Sequence, residues 1–371
     1  MRVIKVPGCC IARSTVTQHP ILIDVFLIID ENGMPLWHEN LFLIEIAKEF
    51  DANTCRAYAS DLLSFARMSA PMGGWSFVND SIMSGYFVGD LIQARGFNES
   101  SILRHVSSLK KFYKWLFDKG YLSTENKFNW KYKKYFVETL DNYSAFTASQ
   151  HSHHSSYITT ENYKKLLTNV YSNSPFLSAR DKICIQLGYL SGTRACETLR
   201  IKASILLASI EHAKKKNKGI WATATYNLVG KRNKLRPLEI PPGLCNEISE
   251  FIRRFPNTFA STDCPLICRE SGEPLLNEKH ASYAFSKAHK LSDLTRKGHQ
   301  GYHALRKSFA TNLVKTCHEY GVDPYVVVPR RMGHDNIETT MGYIFFEALL
   351  SNRSKILRDM RMMHFKGLKH A

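Results

Sequence analysis

No stretch of this chain approaches the roughly 18 consecutive apolar residues that a membrane-spanning helix requires. The most apolar early run, Ile21 to Ile29, is interrupted by Asp24. A secretory signal is also wanting: Arg2 and Lys5 are followed by Pro7-Gly8-Cys9-Cys10, which breaks the continuous apolar segment that such a signal needs. The expected compartment is therefore the cytoplasm. The nine cysteines, an odd number, show no paired C-x-x-C spacing, which argues against a zinc ribbon or redox dithiol and for reduced core residues. Cys264 and Cys268 with His280 downstream, and His151, His153 and His154 in a Ser-rich stretch, are weak metal-ligand patterns. Neither a metal nor any other cofactor is expected. Acidic residues are scarce: 33 Asp and Glu against 50 Lys and Arg leave a net charge of +17 and a pI near 9.4, spread along the whole chain. That excess favours a polyanionic partner, nucleic acid before a membrane surface, over a merely basic protein.

What is present suffices for two domains, since 371 residues with 44% hydrophobic content can build two cores. The β-branched run Ile21 to Ile29, followed by Glu31-Asn32-Gly33 and Pro35, predicts an opening strand or hairpin. From Leu41 to Tyr121 the apolar period is helical. Leu43, Ile46, Ala47 and Phe50 share one face, Tyr58, Leu62 and Phe65 a second, and Ile102, Val106, Leu109, Tyr113 and Leu116 a third. Asn98 or Ser100 can cap that third helix and Gly120 follows it. Its polar side carries Arg104, Lys110, Lys111 and Lys114 beside Ser107 and Ser108, which suits phosphate contacts and equally a solvated face.

Between Asp141 and Ser156 the composition turns to Ser, Thr, Asn and His, and Ile158-Thr159-Thr160-Glu161 reads as a helix start. Helices through Leu187 and Leu199, a Lys-rich turn at Lys214 to Lys218, and alternating residues at Trp221 to Tyr226 and Leu235 to Ile240 come next. After Pro241-Pro242 the pattern is again helical. The fold class is thus mainly α with a small antiparallel β-sheet (α+β). We divide the chain into an extension (1–40), a helical domain (41–140), a linker (141–158), a second domain (159–345) and a helical tail (346–371).

Four segments of the second domain hold residues able to surround one phosphate: Ser191 to Glu197, Val229 to Lys234, Tyr302 to Arg306, and Gly333-His334 through Tyr343. Taken singly, each has an ordinary structural reading. Together, Gly192-Thr193-Arg194-Ala195-Cys196-Glu197, Gly230-Lys231, His303-Ala304-Leu305-Arg306, Gly333-His334 and Tyr343, nine residues beyond His334, resemble the tyrosine recombinase (phage integrase) family. Residues from about Thr54 to Tyr121 look like that family's helical core-binding domain, a weaker match without catalytic motif.

The resemblance implies a site-specific DNA recombinase that breaks and rejoins strands through a 3′-phosphotyrosine, without ATP or metal. Tyr343 would be the nucleophile. Arg194 and Arg306 would grip the non-bridging oxygens, because planar, permanently charged guanidiniums bind phosphate by two hydrogen bonds. His334 would be a further donor, His303 the base that takes the phenolic proton, and Lys231 the acid that protonates the departing 5′ oxygen. Glu197, one turn beyond Arg194, would orient it. Ala304 and Lys307 depart from the acidic residue and histidine common in relatives, and the linker lacks the common Asn-Pro.

After Tyr343, Phe346, Leu349, Leu350, Ile356, Leu357, Met360 and Met363 fall on one face, with Arg353, Lys355, Arg358 and Arg361 around it. The tail either packs on its own domain or, as in the family, docks on a neighbouring subunit of a ring-closed tetramer. The implied partners are double-stranded DNA, three further copies of the chain and accessory proteins, on a bacterial nucleoid or mobile element. The competing readings are a type IB topoisomerase and a non-catalytic DNA-binding regulator.

Overall fold

The computed structural model describes residues 1–13, 20–125, 128–132, 135, 156–217, 222–229, 235–277, 279–295, 300–333, 339–348 and 350–351. The chain divides into two compact units, Met1–Tyr143 and Ser144–Ala371. Among the described residues no helix is long and apolar enough to cross a membrane.

The first unit opens with two antiparallel strands, β1 (Arg2–Arg13) and β2 (Pro20–Ile29), paired from Arg2 and Ile29 inward, with register shifts between Val6 and Cys9 and between Cys10 and Ala12. The pattern at Ile21 to Ile29 forecast β2; its partner carried no comparable signal. Helix α1 (Trp37–Glu49) is fastened to β2 by the Asn40 amide, which accepts from the Ile28 N–H at 2.7 Å and donates to the Ile28 carbonyl at 2.9 Å. Helices α2 (Ala52–Ser69), α3 (Asp80–Ser84) and α4 (Glu99–Asp118) are each capped by an Asp or Asn, namely Asp51, Asn79 and Asn98, whose side chain accepts a first-turn N–H. A π-helical segment, Gly85–Ala94, lies between α3 and α4. The apolar stripes meet in one core around Phe42, Leu62, Phe65, Phe87, Leu109, Phe112 and Leu116. Phe50 departs from its expected place: it follows α1 in extended conformation and is 39% exposed, its ring covered by the Lys111 ammonium at 4.2 Å.

In the second unit, α5 (Thr160–Thr168) is capped by Thr159, and α6 (Pro175–Ser191) starts on a Ser174 cap with proline in its first turn. Helix α6 is apolar on most sides, through Ile183, Cys184, Ile185 and Leu187, and is accordingly the buried axis of the unit. The short α7 (Ala195–Thr198) and α8 (Ala203–Lys216) precede a hairpin of β3 (Ala224–Val229) and β4 (Leu235–Ile240), in register from Ala224 opposite Ile240 to Val229 opposite Leu235. Helices α9 (Pro242–Arg254), α10 (His280–Leu291) and α11 (Tyr302–Glu319) pack on α6, and α12 (Pro324–Met332) packs on α11. Two expectations shift. Lys214 to Lys216 form the last turn of α8 rather than a turn of their own, where cations complement the carbonyl end of a helix. The first strand runs Ala224–Val229, three residues later than its alternation suggested at the start.

Candidate active site

The site is assembled at the start of α11, and its placement begins with glycine. Gly192 ends α6 at φ +68°, a left-handed conformation, and a Cβ there would lie 2.4 Å from the Phe309 ring. Gly188, one turn earlier, leaves room for the Tyr302 ring, which a Cβ would approach to 2.9 Å. The buried Tyr302 hydroxyl donates to the Cys184 carbonyl at 2.8 Å and meets the Thr198 and Thr193 hydroxyls at 2.8 and 3.1 Å. The residue before His303 therefore pins α11 to α6 and α7. Gly192→Ala is expected to lower stability by about 2 kcal/mol or more, the sum of left-handed strain and displacement of a packed ring. Urea unfolding measures this; a change under about 0.5 kcal/mol would mean the turn relaxes freely.

Arg306, on α11, is 2% exposed. Its guanidinium donates to the Gly192 carbonyl and to the Met332 carbonyl, which joins the ends of α6 and α12. Glu197, 3% exposed, is the second hub. Its carboxylate accepts from the Arg194 backbone N–H at 2.8 Å, from Arg194 Nη1 at 2.6 Å and from Arg236 Nη2 at 2.5 Å, with Arg306 Nη1 at 3.8 Å. Burial alone would push this carboxyl up, but Arg236, the Arg194 N–H and Arg306 outweigh it and hold it down at about 2. Three guanidiniums thus surround one carboxylate. Counting these four groups alone, two positive charges remain uncompensated there.

Arg236 had no part in the sequence-based set, although one signal was present. In β4 the inward positions are Arg236, Leu238 and Ile240, so an arginine occupies the buried register of a strand. Its Nη1 donates to the Arg331 carbonyl at 2.8 Å, while its buried Nε has no hydrogen-bond partner among the described residues. Gly333, at φ +62°, ends α12 directly on this side chain; a Cβ there would lie 2.9 Å from Arg236 Cδ.

Tyr343 lies in the helical stretch 339–348 and is 4% exposed, packed with Ala310, Val314, Val328 and Met332. Burial pushes its phenol above 10, and the charges of Arg306 and then Arg194 pull the other way. His303 sits one turn before Arg306 and keeps an exposed edge. Desolvation by its surroundings, then the charges of Arg306, Lys307 and Arg194, hold its imidazole down at about 4, so it is neutral at neutral pH. A bound phosphate would offset those cations and raise its basicity. Arg194, Glu197, His303, Arg306 and Tyr343 are therefore brought to one place. Lys231 and His334 lie outside the described residues.

The polar face of α4 is less available than expected. Ser108 points inward and donates to the buried Asp61 at 2.8 Å, and Arg104 pairs with the same carboxylate at 2.8 Å. Lys111 pairs with Glu49 at 2.8 Å and Lys114 with Asp118 at 3.2 Å. Lys110 stands 5.8 Å from the Trp130 ring centre, and Ser107 is exposed. As for the weak metal patterns, Cys264 and Cys268 have their sulfurs 3.7 Å apart, while His280 Nε2 lies 2.9 Å from Asp181. No group of three His, Cys, Asp or Glu suited to a metal occurs among the described residues. His151, His153 and His154 lie outside them. Of the tail residues, Phe346 is buried in its own unit against Tyr157, with ring centres 5.6 Å apart, and Leu350 is exposed; Leu349 and Arg353 to Met363 lie outside the described residues.

The Phage integrase family pattern matches residues 156–347, and the pattern for the Phage integrase N-terminal SAM-like domain matches residues 40–120. Tyrosine recombinase XerC of Listeria monocytogenes serotype 4b (strain F2365) is 24% identical over 308 residues, covering 80% of this chain and 88% of the relative. A XerC of Caldanaerobacter subterraneus subsp. tengcongensis is 25% identical, covering 83% and 82%. Among solved structures, XerH site-specific recombinase in a post-cleavage complex with palindromic difH substrate superposes with a TM-score of 0.62 at 16% identity, covering 85% of this chain and 82% of that one. A lambda integrase tetramer bound to a Holliday junction gives 0.55 at 15%, covering 82% and 74%.

Proposed function

The chain belongs to the phage integrase family and is a tyrosine-type site-specific recombinase, and we propose that it cuts and rejoins double-stranded DNA through a covalent bond from Tyr343 to a 3′ phosphate. The observation that carries this reading is a buried phenol set against Arg306 and Arg194, where three guanidiniums face a single carboxylate. In the cleavage step the Tyr343 oxygen bonds to phosphorus as the bond to the 5′ oxygen breaks. The phenolic proton passes to His303, and the 5′ oxygen takes a proton from Lys231. Arg194, Arg306 and His334 stabilise the charge gathered on the non-bridging oxygens, and Glu197 with Arg236 orients Arg194. The phosphotyrosine keeps the energy of the broken bond, so a second 5′ hydroxyl reverses the step without ATP. The match of the SAM-like pattern supports residues 41–140 as a DNA-binding domain joined by the 141–158 linker to a catalytic domain at 159–345. The likeness to DNA-bound recombinases and to a tetramer supports action as a homo-tetramer on paired sites; accessory proteins and the cytoplasm of a bacterial host complete this reading.

The test uses duplexes selected by binding from a randomised library, end-labelled and incubated with the full chain. The 5′ label is expected to stay with denatured protein on a peptide containing Tyr343, leaving a free 5′ hydroxyl on the other fragment. Retention of the 3′ label, or attachment to another residue, would overturn the assignment.

A further inference from the structure

The recombinase reading does not account for the buried carboxylate of Glu347. Glu347 is 4% exposed and follows Tyr343 by four residues in the helical stretch 339–348, so the two share a face one turn apart. Its Oε2 lies 2.9 Å from Nδ1 of His318, and its Oε1 accepts from the Ser351 hydroxyl. A carboxylate at this position only accepts, so the His318 Nδ1 carries the proton and donates. His318 belongs to the last turn of α11, the helix whose first turns carry His303 and Arg306. At a rise of about 1.5 Å per residue, Arg306 and His318 stand about 18 Å apart on one rigid rod.

The nucleophile's helix is thus held at two places along a common support. Tyr343 packs on Ala310 and Val314 in the middle of α11, and one turn later Glu347 is clasped to its C-terminal end. Resting on the recombinase reading, we infer that Glu347, through His318, is a positioning residue that holds the Tyr343 oxygen in line with the phosphate gripped by Arg306. It touches neither DNA nor the reacting atoms. The clasp sets the rate of the cleavage step and leaves DNA affinity unchanged.

Because removal of the buried carboxylate could unfold the region, the half-exposed partner is the one to change, in the full chain with a library-selected duplex. His318→Ala is expected to cut the single-turnover cleavage rate at saturating DNA by about 10- to 100-fold, the scale expected for an ångström-sized misplacement. The half-saturating DNA concentration should stay within about twofold, as for a uniform-binding contact left intact. His318→Asn, whose amide nitrogen takes the place of Nδ1, should restore most of the rate. Hydrogen exchange of residues 339–348 should quicken in His318→Ala and return in His318→Asn. Unaltered rate and exchange in His318→Ala, a matching loss of DNA affinity, or an Asn variant as slow as Ala would each overturn the inference. The exchange measurement needs no cleavage, so a native chain that forms no adduct would count against the nucleophile while the clasp is still decided.

Discussion

Tyr343→Phe is expected to abolish the denaturation-resistant DNA adduct while leaving the folded protein almost unchanged. The phenol oxygen is the only atom removed, and phenylalanine has no group that can bond to phosphorus. The ring itself belongs to a cluster with Ala310, Val314, Val328 and Met332, which phenylalanine fills equally well. Loss of one buried hydroxyl and its partner interaction should alter unfolding free energy by no more than about 1 kcal/mol. Duplex binding measured by anisotropy should persist, since Arg194 and Arg306 are untouched. An undiminished adduct in the variant would show that the nucleophile lies elsewhere, and a variant that fails to fold would show that the hydroxyl has a structural duty.

Glu197→Ala should have the largest effect on stability of any single change at the site. It removes the one anion shared by Arg194, Arg236 and Arg306, two of which are almost fully buried. Breaking a buried ion pair from one side costs about 3–5 kcal/mol, because uncompensated charge stays behind. The pH dependence offers an independent estimate. The carboxyl is held at about 2 in the fold against an ordinary 4.5. A depressed acid contributes stability that is fully present above about pH 4.5 and is lost as pH falls through about 2, amounting to about 3 kcal/mol. Native protein should show this loss in acid unfolding curves and Glu197→Ala should lack it. Added phosphate or sulfate should also recover part of the variant's melting temperature, since an anion can settle among the three guanidiniums. A variant of native stability, indifferent to phosphate, would refute the shared-anion arrangement.

The parts of the site that could be read from sequence are those set by local chain geometry. Gly192, Arg194 and Glu197 lie within six residues, and their relationship is a helix end followed by a capped helix start, which spacing alone conveys. His303 and Arg306 are likewise one helical turn apart. Arg236 and Glu347 escaped because their partners are distant: Arg236 meets Glu197 across 39 residues, and Glu347 meets His318 across 29. A single sequence carries no periodicity that couples positions so far apart. Ser108 failed for another reason. It lies at the margin of the apolar stripe of α4, and only the presence of buried Asp61 on α2 decides that its hydroxyl turns inward.

The two carbonyls that hold the Arg306 guanidinium belong to residues 192 and 332, so this cation is seated only when both helix ends have arrived. On the recombinase reading, a chain recovering from heat carries the phenol without this seat and is expected to form no adduct with DNA. Strand-cutting activity should return during refolding only with the last tertiary contacts, never ahead of them.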